Sequence, residues 1–410
     1  MFSYNKNYFF QTTRAFKYKN FKLFFLGNGI SLIGTWMTRI AISWLVYKIT
    51  SSPVLLGTIM FAAQIPTFIF NALAGVWVDR INRQKMLFLT QSFSMIHALI
   101  LAFLTLFNLI TLWQLFALAI FQGIVNAFDI PARQAFVTEI VTEKKDIGNA
   151  IALNSSIFNA ARFIGPSLAG IIIGFWGEGV CFLVDGLSYI AVLISLIAIK
   201  IPKENKPKKS GKIWEEFKSG LSYAVKMHPI RNILILLALT SLVGIPYAVL
   251  MPVYVKDVLN KNADSLGFLM GASGLGSVAA SLLLAAKKEY STGLTRLIFF
   301  SALLFGISLS AISFFNSFLY ALLIMPIAGG ALIFQLAASN TNLQIIVSES
   351  HRGRVMSFYS MAFMGMAPLG SLIAGIMAEK IGVPNTFLIG GILTCLGAFW
   401  FFFLSDSMET

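Results

Sequence analysis

The sequence predicts an all-α membrane protein of twelve transmembrane helices arranged as two six-helix bundles. Three observations predict it. Hydrophobic residues make up 57% of the 410 residues and charged residues only 12%, whereas soluble domains carry about a quarter charged. At about 20 apolar residues per span, a chain of this length accommodates about twelve. Segments of the second half also repeat segments of the first at a fixed offset. Disorder is excluded by 38 Phe and 7 Trp against 17 acidic residues, because disorder needs high charge and few aromatics.

Apolar windows place the spans at 21–47, 54–78, 86–107, 112–130, 150–175, 179–199, 232–255, 266–286, 297–315, 318–339, 355–378 and 385–404. The first window follows basic residues and shows no small-residue cleavage site, so it is read as a span and not as a signal peptide. Net charge is +14, and its placement points to a membrane and not to nucleic acid. Counting Lys22 with the residues before span 1, 25 of the 31 Lys and Arg fall before span 1 or in the even-numbered connections. The odd-numbered connections hold only Lys48, Lys256, Lys261 and Lys380. Basic residues accumulate on the cytoplasmic side, so both termini are expected in the cytoplasm. The longest connection runs K-E-N-K-P-K-K-S-G-K from Lys203 to Lys212, then places Trp214, Phe217 and Leu221 at helical spacing. It reads as a linker with an amphipathic helix tethered to anionic headgroups. The expected organisation is a bundle at 1–200, a linker at 201–229 and a bundle at 230–410.

Cys181 and Cys395 stand far apart in apolar runs, which fits neither a disulfide framework nor a zinc site. No phosphate-binding loop, nucleophile elbow or His-Glu-x-x-His motif is present, so neither an enzyme nor an ATP-driven pump is expected. No cofactor is expected.

The repeat has an offset of 210. Gly57 and Asp79 are matched by Gly267 and Glu289, and Q-A-F-V-T-E (Gln134 to Glu139) by Q-I-I-V-S-E (Gln344 to Glu349). After a five-residue deletion, G-P-S-L-A-G (Gly165 to Gly170) is matched by G-S-L-I-A-G (Gly370 to Gly375). Repeated six-span units are transporter architecture, with a site expected near the midplane.

The segment G-V-W-V-D-R-I-N-R-Q-K (Gly75 to Lys85) resembles the loop signature of the major facilitator superfamily, with Asn82 in place of its second glycine. G-T-W-M (Gly34 to Met37), A-F-D-I-P-A-R-Q-A-F-V (Ala127 to Val137) and A-R-F-I-G-P-S-L-A-G (Ala161 to Gly170) are similar to the branch holding bacterial enterobactin exporters and macrolide efflux pumps. The resemblance implies a secondary transporter of the bacterial inner membrane, an exporter alternating between inward-open and outward-open states. It also implies that Gly165-Pro166 corresponds to the family's antiporter signature.

Candidate gate residues are Asp79, Arg80, Arg83, Asp129, Arg133, Glu139, Glu349, Arg352 and Arg354, charges gathered at one membrane level. Asp129 and Arg133, one turn apart, can pair on one face. An unpaired charge at a helix centre costs about 2.5–3.5 kcal/mol on insertion scales, so Arg39, Arg162 and Asp185 are candidates for the substrate or proton path, with Asn28, Gln64, Gln122, Asn126 and Gln335 as polar neighbours. Arg39 and Asp185 lie about 12 and 9 Å from the outer ends of their spans at 1.5 Å per residue, which makes them an expected pair, with Arg162 as rival partner. His97 reads as a packing residue. The expected function is proton-coupled export of an amphipathic small molecule, a siderophore or a drug, by a monomer working among membrane lipids. The alternatives are a lipid or lysolipid translocase and a non-transporting receptor.

Overall fold

The computed structural model describes residues 13–200, 221–286 and 293–406. No strand occurs among them, and twelve helices are long and apolar enough to cross a membrane. They are α1 Lys19–Thr50, α2 Pro53–Arg80, α3 Arg83–Leu106, α4 Leu112–Glu139, α5 Lys144–Trp176, α6 Glu178–Ala198, α7 His228–Val258, α8 Ala263–Ala286, α9 Leu294–Phe314, α10 Phe318–Ile346, α11 His351–Ile381 and α12 Val383–Asp406. Hydrocarbon offers backbone groups no water, so a spanning segment must satisfy its own hydrogen bonds. Several helices outrun their apolar windows: α4 continues through Arg133 to Glu139, and α5 begins at Lys144. Beyond the hydrocarbon the helical bonds persist while charged side chains reach water.

Connections are short and locally encoded. Asn82 caps α3 by accepting from the Lys85 amide at 3.0 Å. Thr111 and Gln114 form a reciprocal capping box at the start of α4, which satisfies two donors that the first turn leaves open. Gly177 joins α5 to α6 and Gly382 joins α11 to α12, with φ of 83° and 82°, a region open to glycine without steric penalty.

By internal contacts the chain forms two compact units, Met1–Leu45 with Ala63–Lys208, and Val46–Ala62 with Lys209–Thr410. In the first, α3 packs on α4 and α6 over buried Phe21, Phe24, Leu87, Phe136 and Leu196. In the second, α9 packs on α10 and α12, and α8 on α10, over Ile230, Leu236, Ile298, Leu343 and Phe401. Lipid gives helices no hydrophobic reason to associate, so close van der Waals approach through small residues must do it. A Cβ on Gly276 of α8 would stand 1.8 Å from the Pro326 carbonyl oxygen of α10, and one on Gly165 of α5 would stand 2.5 Å from Cβ of Trp36 in α1. The α7 and α11 helices are interrupted by single wide turns at Thr240–Gly244, Tyr254–Val258 and Met361–Gly365.

Candidate transport path and gate residues

Asp129 is the centre of the first unit's polar network. It is 3% exposed. Its Oδ1 accepts from Thr90 Oγ1 at 2.9 Å and Gln91 Nε2 at 2.6 Å, both on α3. Its Oδ2 accepts from Arg133 Nε at 3.1 Å, with a second, shorter bond from Arg133 NH2. Arg133 NH1 donates to Asn28 Oδ1 of α1 at 2.9 Å. The i, i+4 pair expected from the sequence therefore forms, and the guanidinium also ties α1 to α4. A full turn or more along α4, Gln122 Nε2 donates to Asn126 Oδ1 and to Ser94 Oγ of α3, each at 3.1 Å. His97 is 3% exposed, stacks on Phe121 and takes the Leu118 backbone as partner, which suits a packing residue.

Among the other gate candidates, Arg83 at the start of α3 pairs with Glu139 at the end of α4 at 3.2 Å. Glu349 and Arg352 are exposed at the entry to α11, while Arg354 is partly buried. Beside them His351 stacks on Tyr223 at 4.2 Å between centroids. The side chains of Asp79 and Arg80, on the last turn of α2, lie outside the described residues, as do Trp214, Phe217 and the basic linker.

The structure does not bring Arg39 to Asp185. Asp185, 2% exposed in α6, has the hydroxyls of Thr38 and Ser188 as polar neighbours, and no cation is among them. It fits because Gly34 has no side chain: a Cβ there would stand 2.6 Å from Asp185 Oδ1. Successive residues of a helix are rotated by about 100°, so Gly34 and Thr38 face α6 and Arg39 turns away. The Arg39 guanidinium instead lies over the Trp36 ring, 4.7 Å from its centroid. Arg162 of α5 lies over the same ring at 5.8 Å, and Phe158 packs edge-on to it at 5.7 Å.

The sequence reading missed a cluster at the start of α5. A short 3₁₀ turn, Arg14–Lys17, sets Lys17 Nζ 2.7 Å from Asp146 Oδ2 and 2.9 Å from Glu143 Oε1. Tyr18 OH donates to Asp146 Oδ2 at 2.8 Å, and the Ala15 amide to Asn149 Oδ1 at 2.9 Å. The two carboxylates hold the Lys17 ammonium charged, raising its pKa, and Lys145 and Lys17 together depress Glu143 to about 2. The only sequence signal was the E-K-K-D run, Glu143 to Asp146.

In the second unit Gln335 is fully buried and donates to Thr240 Oγ1 at 2.8 Å on the wide turn of α7. Tyr247 OH and Ser273 Oγ are 3.0 Å apart. Asp257, on the second wide turn, accepts from Tyr47 OH, and Lys256 lies over the Tyr47 ring at 5.2 Å. Glu379 of α11 accepts from Ser52 Oγ at 2.8 Å and from the Val54 amide at 3.3 Å, placing an anion at the positive end of α2. Gln64 is partly buried.

Twelve spans, a six-span repeat and buried polar networks within the spans define a transporter of the major facilitator superfamily, a multi-pass bacterial membrane protein and not an enzyme. The chain belongs to the family described as Transmembrane secretion effector, whose model matches residues 11–407. It is 28% identical over 393 residues to the Staphyloferrin A transporter of Staphylococcus aureus, covering 95% of this chain and 97% of that one. It is 22% identical over 385 residues to Macrolide efflux protein A of Streptococcus pyogenes, covering 92% and 95%. A solved bacterial homologue of the human lysosomal transporter Spinster superposes with a TM-score of 0.74 at 15% identity, over 95% of this chain and 97% of that one, which shows the fold.

Proposed function

We propose that this transporter is a proton-coupled exporter of an amphipathic small molecule, a siderophore or a drug, working as a monomer with both termini in the cytoplasm. The carrying observation is Asp185, a carboxylate buried at 2% exposure inside a span with hydroxyl neighbours and no cation. A charge there has nothing beside it to cancel it, so taking up a proton is its route to neutrality. Asp129 differs, because Arg133 already balances it. Asp129–Arg133 and Arg83–Glu139 are the gate pairs in this reading. Arg83–Glu139 joins α3 to α4, and Arg133, paired with Asp129 within α4, also holds Asn28 of α1; several modest pairs together supply the few kcal/mol that two-state gating needs. The substrate class rests on the relatives, one named for a siderophore and one for macrolide efflux.

The test is flux in proteoliposomes with an imposed pH gradient, using a macrolide and a siderophore as substrates. Gradient-accelerated flux is expected from the wild type. Asp185→Asn should retain substrate exchange while losing the response to the gradient. An Asp185→Asn variant as gradient-sensitive as the wild type would remove Asp185 from the coupling.

A further inference from the structure

A polar stripe runs along one face of α1 through Asn28, Ser31, Thr35 and Thr38, buried except for Thr35, which is partly so. The spacing of three and four residues keeps them on that face. Its ends meet Asp129 and Asp185. At one end Asn28 accepts from Arg133, the partner of Asp129, and at the other Thr38 neighbours Asp185. Between them Tyr189 of α6, 4% exposed, places its hydroxyl 3.2 Å from Thr35 Oγ1. Counting hydrogens gives the direction of this bond. A hydroxyl carries one, and Thr35 gives its own to the Ser31 carbonyl at 3.0 Å. Tyr189 is therefore the donor, and its bond ties α6 to α1.

Tyr189 stands one turn after Asp185 on the same face of α6, and a long side chain in a helix leans back over the preceding turn. Asp185, Asp129 and Arg133 all act on its hydroxyl. The other titratable groups nearby are engaged elsewhere: His97 of α3 with Phe121 and Leu118 of α4, Arg39 and Arg162 over Trp36, and the Cys181 thiol with the Ala169 carbonyl. Glu178 lies two turns before Asp185. Asp185 Oδ1 and Thr38 Oγ1 are buried without a hydrogen bond among the described residues, and Ser188 gives its hydrogen to the Asp185 backbone carbonyl at 2.7 Å. An unsatisfied acceptor costs more when it carries charge, so an ionised Asp185 draws donors. The hydroxyl hydrogens around it are those of Thr38 and Tyr189. We infer that the Tyr189 hydroxyl is a two-position donor, held on Thr35 while Asp185 is neutral and drawn to Asp185 when it is ionised, so that one proton decides whether α6 is tied to α1. This rests on Asp185 being the coupling carboxylate and supplies the link from its proton to the gate. Ionisation breaks the Thr35 bond, so α1 keeps Arg133 through Asn28, about 10 Å along the helix, and loses this hold on α6.

The experiment titrates Asp185 by infrared difference spectroscopy of its carboxylic acid band, using the full-length chain in phosphatidylcholine nanodiscs, with Asp185→Asn identifying the band. Removing the donor penalises the ionised form. Tyr189→Phe should therefore hold the Asp185 proton about tenfold more tightly than the wild type, the scale of a hydrogen bond to a charged group. Removing the competing acceptor has the opposite sign, because Tyr189 then serves the carboxylate alone, so Thr35→Val should hold the proton several-fold less tightly. Residues that only pack would not move the titration in opposed directions. Unchanged titration in Tyr189→Phe, or shifts of the same sign in both variants, overturns the switch. Erythromycin flux in proteoliposomes with an imposed pH gradient separates this inference from the reading beneath it. If Asp185→Asn loses the gradient response while Tyr189→Phe titrates as the wild type does, the switch alone is defeated. If Asp185→Asn keeps the gradient response, or removes no titrating band, the coupling reading falls and takes the switch with it.

Discussion

At the scale of single residues, Asp129 and Asp185, two of the buried carboxylates of the first unit, divide the work by their partners. Asp129 is held by Arg133, Thr90 and Gln91, so replacing it strands a guanidinium that is 23% accessible. Breaking a buried pair costs about 3–5 kcal/mol, and the accessibility of Arg133 brings the expected loss for Asp129→Asn down to about 2 kcal/mol. The variant should melt earlier and transport more slowly, yet still respond to a pH gradient in proteoliposomes. Wild-type exchange with the gradient response gone would instead make Asp129 the proton carrier. The Asp129–Arg133 pair was legible in the sequence because a spacing of four closes one helical turn. The Arg39–Asp185 pair matched in depth and failed in phase. Depth follows from counting residues, but the face a residue presents depends on which neighbour its helix meets. That is decided by contacts such as Gly34 on Asp185 and Gly165 on Trp36, which span spacing does not encode.

At the scale of elements, the N-terminal turn and the start of α5 behave as one device whose charges stay fixed across the neutral range. Glu143 is depressed to about 2 from an ordinary value of 4.5. Its contribution is therefore present above about pH 4.5 and lost as pH falls towards 2. Lys17 is raised above 10.5, so its contribution is full below that value and lost only at higher pH. Hydrogen exchange at Ala15 to Tyr18, corrected for the intrinsic rate, should show constant protection from pH 5 to 9 and loss at the acid end. Asp146→Asn should release the turn at neutral pH, and unchanged protection in that variant would show that apolar packing alone holds it. The close-packed seams make a second element-scale prediction. Gly276→Ala drives a Cβ into the Pro326 carbonyl and should cost several kcal/mol of stability, since neither backbone can retreat without losing packing. Gly353→Ala is the control, because nothing lies within 4 Å of the added Cβ and alanine is the better helix former by about 1 kcal/mol. Equal melting temperatures for the two variants would contradict the seam. The small-residue pattern was legible in the sequence, but the partner of each glycine was not.

At the scale of the whole molecule, the internal repeat extends from letters to backbone. Ser51 between α1 and α2 and Asn260 between α7 and α8 both adopt positive φ, 48° and 51°. Gly177 and Gly382 do so between the last two helices of each half. These turns recur at nearly the offset of the sequence matches, with the five-residue deletion falling before the second pair. At these two connections the halves turn the chain in the same hand, and six spans return each half to the side on which it began. The even span number makes the location of one terminus fix the other, and the proposed cytoplasmic placement of both rests on the distribution of 25 of the 31 basic residues under the positive-inside rule. This orientation is open to direct measurement, because the two native thiols can be removed as Cys181→Ala and Cys395→Ala. A single Lys208→Cys in that background should resist a membrane-impermeant maleimide in intact cells and react once the membrane is opened. Lys261→Cys, in the connection between α7 and α8, should react in intact cells. The reverse pattern would invert every assignment of inner and outer ends, and with it the side on which the Asp129–Arg133 and Arg83–Glu139 pairs work.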